Sequence, residues 1–151
     1  MIPWYQKILS IYNGTMVPFI MNKLPDDGFE KITEEILAVD GAVRYVGVVD
    51  NRGKLAYSKL KEGKKSLKTQ KEEEVFAADL SVMKLMHELF NDSLGRVTLV
   101  HTIREKLHQK VYYTDGHMIY VTCERNINNH SAVEISDKIE SILKNTLKIW
   151  N

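Results

Sequence analysis

Two turn signatures constrain this chain more than anything else in it. Asp50-Asn51-Arg52-Gly53 separates residues 42–49, which hold Val43, Val46, Val48 and Val49, from residues 54–60. Asp115-Gly116 separates Val111-Tyr112-Tyr113 from residues 118–123. Asn and Gly accept the positive φ that short hairpin loops demand, while β-branched and aromatic residues suit a pleated, half-buried surface. Each signature predicts a hairpin, and strands joined this closely run antiparallel, because a parallel pair needs a crossover of a dozen or more residues.

Around the hairpins the apolar spacing turns helical. Asp26 or Asp27 is placed to cap a first helix with Phe29, Ile32 and Ile36 on one side, stopped by Asp40-Gly41. A second helix starts near Glu72-Glu73-Glu74, whose carboxylates suit the positive end of the helix dipole, and runs to about Phe90. Val97, Leu99, His101 and Ile103 then alternate with Thr98, Val100 and Thr102 as a third strand, followed by a polar turn over residues 104–108. Ala132, Ile135, Ile139, Ile142, Leu143, Thr146 and Ile149 mark a last helix. The order is α-β-β-α-β-β-β-α, an α+β fold with a five-stranded antiparallel sheet flanked by helices.

The 151 residues suit one domain. Residues 26–151 carry these patterns, whereas residues 1–25 hold all three prolines and the Asn13-Gly14 pair and read as an N-terminal appendage. Residues 8–20 are too broken by Asn13, Gly14 and Pro18 for a signal peptide or a membrane anchor, and Met16 or Met21 offers an alternative start. Twenty-one Lys and Arg against 20 Asp and Glu leave a net charge of +1, so no global field directs the chain to nucleic acid or to a membrane. A single cysteine, Cys123, excludes an internal disulfide and fits a reducing, cytoplasmic setting.

The second helix holds the clearest pointer to function. At about 100° per residue, Val75, Phe76, Ala78, Leu80, Val82, Met83, Leu85, Met86, Leu89 and Phe90 cover an arc of roughly 220°. One sheet covers little more than about 100° of a helix, so further apolar surface must meet something else. The plain alternative is another part of the same chain. The functional reading is a partner helix, most simply the same helix of a second copy, for which the pliable Met83 and Met86 are suited. Asp79 falls inside the arc and needs a donor or a wet seam.

Catalytic and metal signatures give nothing comparable. His87, His101, His108, His117 and His130 lack ligand spacing, Cys123 ends an apolar strand, and there is no nucleophile elbow, phosphate loop or acidic metal cluster. The expectation is a non-enzymatic protein with no cofactor. The lysine-rich residues 59–71, with Lys61, Lys64, Lys65 and Lys68, read as a solvated loop that could alternatively grip phosphates or an acidic face. Tyr112, Tyr113, Met118 and Tyr120 could line the cleft of a small-molecule sensor, although cross-strand packing also accounts for them.

Two segments carry a family resemblance: ITEEILAVDGAVRYVGVVDNRGKLA at 32–56 and DGHMIYVTCERN at 115–126. In element order and turn pattern the chain resembles the roadblock family of profilin-like α/β proteins over about residues 26–150. The first segment is also similar to a group of short archaeal proteins. The resemblance implies a homodimer formed by the second helix against its mate and the third strand across the interface, in a module that regulates nucleotide switches such as small GTPases. Residue by residue it places Val75, Phe76, Asp79, Met83 and Met86, together with Val97, Leu99 and His101, at the self-contact; the apolar arc adds Val82. The alternative class is a sensor domain of the GAF or PAS type.

Overall fold

The computed structural model describes residues 26–147. The candidate appendage and Ile149 lie outside them, as do the side chains of the candidate caps Asp26 and Asp27. The elements are α1 (Asp26–Leu37), β1 (Val43–Asp50), β2 (Leu55–Leu60), α2 (Gln70–Glu88), α3 (Asn91–Leu94), β3 (Leu99–Ile103), β4 (Leu107–Tyr113), β5 (His117–Glu124) and α4 (Asn129–Leu147). The five strands form one antiparallel sheet in the order β2-β1-β5-β4-β3, as the hairpins require. The α+β class and the element order are those read from the sequence, with the single-turn α3 added between α2 and β3.

The sheet is covered on both sides. On one face Phe29, Ile32 and Ile36 of α1 and Ile135, Ile139 and Leu143 of α4 close over Val46, Val48, Tyr112, Ile119, Val121 and Cys123. On the other face Ala77 and Leu80 of α2 meet Tyr45, Val49, Val111, Tyr113, Met118 and Tyr120. Period-2 alternation therefore sends neighbouring residues of β4 and β5 into different cores.

The first hairpin also sets the place of α2. Asp50 Oδ1 accepts from the backbone N–H of Arg52 (2.9 Å) and of Lys54 (3.0 Å), and Gly53 closes the turn at φ +80°. A Cβ on Gly53 would lie 2.7 Å from Ser81 Oγ and 3.0 Å from Ala78 Cα, so the turn rests directly on the middle of α2. The start of α2 is fixed by a capping box that the acidic run only approximates: Thr69 Oγ1 accepts from Glu72 N–H, and Glu72 accepts from Thr69 N–H, both at 3.1 Å.

The turn expected over residues 104–108 is shorter, and β4 begins at Leu107. His108, Gln109 and Lys110 read as loop because they are polar, yet all three are buried in the strand and have partners. Lys110 Nζ donates to Ala132 O (3.0 Å) and to Ser136 Oγ (2.5 Å) on α4, and Gln109 Nε2 donates to Tyr120 Oη (2.9 Å).

Candidate functional site

Two features of the α2 side of the sheet stand out: an apolar outer stripe and a broad cleft. The stripe arises because the apolar residues of α2 are not confined to its sheet side. Ala77 and Leu80 are buried, and Phe76 and Met83 are partly buried against the second core, so the chain itself covers part of the arc. Val75, Val82, Met86 and Leu89 lie within about 60° of one another on the helix wheel, turned away from Leu80. Val75 is 62% exposed, Met86 42% and Leu89 37%, and Val82 is half-buried. Phe90 and Leu94 extend this exposed apolar surface beyond the helix end. Asp79 lies in solvent and borders the cleft.

Among the described residues β3 is an edge strand, pairing with β4 alone. Its sequence, LVHTI, holds no acidic residue, Lys, Arg or Pro to discourage a further strand, whereas the opposite edge, β2, carries Lys59. Val97 and Leu99 are partly buried, against the second and first cores respectively. His101 is exposed as a residue, yet its Nε2 shares a hydrogen bond with His108 Nδ1 at 2.9 Å and the rings stack at 5.1 Å. Burial lowers the pKa of both.

The cleft, about 1070 Å³, opens between the lysine loop, the first half of α2 and the β3–β4 turn. The loop is more firmly held than its composition implies. Lys61 Nζ donates to Asp40 O (2.7 Å), Lys64 pairs with Glu124 (2.8 Å), and Arg44 links Glu124 (2.9 Å) to the carbonyl of Lys65 (2.9 Å). The hydrogen bond from Lys64, joined by that of Arg44, holds the Glu124 carboxyl below its ordinary pKa. Lys68 turns inward: its Nζ lies 4.3 Å from the Phe76 ring centre, 4.5 Å from Tyr120 and 5.5 Å from Tyr45. Lys65 also lines the cleft, so two of the four predicted loop contacts face a cavity and two anchor the loop.

The four residues of the candidate sensor cleft are not brought to one surface. Tyr112 is buried on the opposite face, its hydroxyl donating to Ser136 O at 3.1 Å. Tyr113 shares a 2.7 Å hydrogen bond with His87 Nδ1, Met118 is wholly buried, and Tyr120 alone of the four borders the cleft. Burial raises all three tyrosine pKa values, that of Tyr120 to about 12. Strand alternation could have separated Tyr112 from Tyr113 and Tyr120. The residues missed were Phe76 as a cleft wall, Arg104 and Gln109; the true start of β4 would have located Gln109 and the turn that carries Arg104.

Cys123 is buried, and burial raises its thiol pKa to about 11. Among the described residues no cluster of His, Cys, Asp and Glu could hold a metal ion, and no helix is long and apolar enough to cross a membrane.

No family model and no curated protein matches the chain. Solved structures do. The chain is similar to the gliding protein MglB from Thermus thermophilus, at 13% identity and a TM-score of 0.65, over 87% of this chain and 96% of that one. An MglB with a tetrameric arrangement is 12% identical, with a TM-score of 0.64 over 88% and 98%. A roadblock/LC7 domain from Streptomyces avermitilis is 11% identical, with a TM-score of 0.55 over 78% and 96%. At these identities the likeness establishes a shared roadblock-type fold.

Proposed function

We propose that the chain is a non-enzymatic, cytoplasmic interaction module that works as a homodimer, with α2 and β3 as the self-contact. One observation carries this reading: among the described residues the stripe of Val75, Val82, Met86 and Leu89 is left uncovered or half-covered, and the β3 edge is unpaired and unguarded. Apolar surface and an unpaired strand edge are both costly to leave in water, and a twofold axis relieves both at once. Phe76, Asp79 and Met83 then flank the α2 part of the seam, and Val97, Leu99 and His101 lie on or beside the β3 edge that meets its mate. The shared roadblock-type fold and the tetrameric arrangement of one similar structure support self-association. A nucleotide switch such as a small GTPase is the partner class that the family resemblance implies, and the Lys61, Lys64 and Lys65 face of the loop is a second surface for it.

Sedimentation equilibrium tests the self-contact. A dimer that persists at about 10 μM supports it, and a monomer at about 100 μM overturns it. Binding to nucleotide-loaded GTPases is a separate measurement, so failure there removes the partner and leaves the dimer standing.

A further inference from the structure

The Lys68 ammonium is in an unusual position. It sits over three aromatic faces, those of Phe76, Tyr120 and Tyr45, and among the described residues no oxygen accepts a hydrogen bond from its Nζ. An ammonium carries three donors, and ring faces satisfy its charge only in part. The carboxylate that acts on it most strongly, Glu73, is already engaged, accepting from Tyr45 Oη at 2.9 Å. Arg104 adds a second cation whose charge opposes that of Lys68. Its Nε donates to Gln109 Oε1 at 2.6 Å, and Gln109 Nε2 donates to Tyr120 Oη at 2.9 Å, so the guanidinium is fixed beside the same aromatic floor. No described group accepts from its two terminal amino groups. Burial lowers the Lys68 pKa, and the charges of Glu73 and Glu72 counter this only in part.

We infer that this cleft binds a small organic oxyanion, its carboxylate or phosphate bridging Lys68 Nζ and the Arg104 guanidinium and its apolar body lying against Phe76 and Leu67. The chemistry follows from the walls. Lys68 Nζ and the terminal amino groups of Arg104 keep free N–H donors on a partly desolvated floor, where Glu73 and Glu72 offset only part of the positive charge, and a planar guanidinium is matched to the two oxygens of a carboxylate or phosphate. Phe76, only partly buried, and the exposed Leu67 on the facing loop give the ligand an apolar wall. A cleft of about 1070 Å³ admits such a molecule with room to spare. This inference does not rest on the dimer, since every group named belongs to one chain.

The test is calorimetric titration of the full chain with 2-naphthoate and 2-naphthyl phosphate, against uncharged 2-naphthamide and cationic 2-naphthylmethylammonium. Both anions should bind at one site, at least about tenfold more tightly than the amide, and the tighter of the two identifies the headgroup. Lys68→Met and Arg104→Met should each weaken the anions about tenfold or more while keeping a cooperative thermal unfolding transition, and Lys68→Arg should retain binding. Equal affinity for naphthoate and naphthamide, tighter binding of the cation, anion binding unchanged in both methionine variants, or no binding by either anion would overturn the assignment.

Discussion

Truncating the outer stripe of α2 separates self-association from folding. Val75 and Met86 keep 62% and 42% of their surface in solvent. Full burial of such a side chain is worth about 1.5–3 kcal/mol, so about 1 kcal/mol or more remains to be gained at each when a partner covers it. A twofold interface counts every change twice. Alanine keeps a small part of each contact, so the double variant Val75→Ala, Met86→Ala should weaken association by about 3–4 kcal/mol, or about 100- to 1000-fold in Kd. Sedimentation velocity across a dilution series reads this directly. The monomer should not suffer, because alanine has a helix propensity at least as good as valine or methionine and neither side chain belongs to the buried core. A urea midpoint, compared at a concentration where both proteins are monomeric, should be unchanged or slightly raised. An unchanged dimer constant alongside an unchanged midpoint would refute the reasoning, since the stripe would then be solvent-facing in the dimer too.

Three further outcomes follow from the fold. Gly53→Ala places a Cβ at φ +80° and 2.7 Å from Ser81 Oγ, and should cost about 1–3 kcal/mol by urea denaturation. Lys110→Met removes a buried ammonium held only by neutral oxygens, and should stabilise the protein by about 1–3 kcal/mol at pH 7. Burial lowers the Lys110 pKa, so the unfolded chain binds more protons between the folded value and 10.5; the wild type should gain on the variant as pH rises through that window, and a gap that widens would exclude this account. Cys123, its thiol pushed up to about 11, should react with an aromatic disulfide reagent at pH 8 at least about a hundredfold more slowly in the native state than in urea.

The fold was legible because its punctuation is local. Asp50 to Gly53 and Asp115-Gly116 each specify a hairpin with no knowledge of the rest of the chain, and the spacing of Phe29, Ile32 and Ile36 assigns one face of α1. The start of β4 was not legible for the opposite reason. His108, Gln109 and Lys110 are admitted to the interior by partners distant in sequence, including Ser136 on α4, 26 residues away. A polar residue reads as surface until its partner is known, and periodicity carries no information about partners. The Thr69-to-Glu72 capping box was readable in the T-x-x-E spacing, but the three consecutive glutamates drew the boundary toward themselves.

The candidate sites show the same division. The width of the apolar arc on α2 is a property of one segment and survives as the exposed stripe, although the sheet claims Phe76 and Met83 for its own core and shifts the open part to Val75, Met86 and Leu89. The cleft is assembled from four separate stretches: the lysine loop, α2, the β3–β4 turn and the centre of the sheet. Lys68 looked like one more solvated cation in a run of six because nothing near it in sequence is aromatic; its three rings come from β1, α2 and β5. The sequence also hid where the acids point, since Glu72 caps the helix and one oxygen of Glu73 accepts from Tyr45. The positive character of the cleft comes from its lining, where Arg44, Lys65, Lys68, Lys71, Arg104 and Lys106 outnumber Glu72, Glu73, Asp79 and Glu105, and a net charge near zero is compatible with a local site that takes an anion.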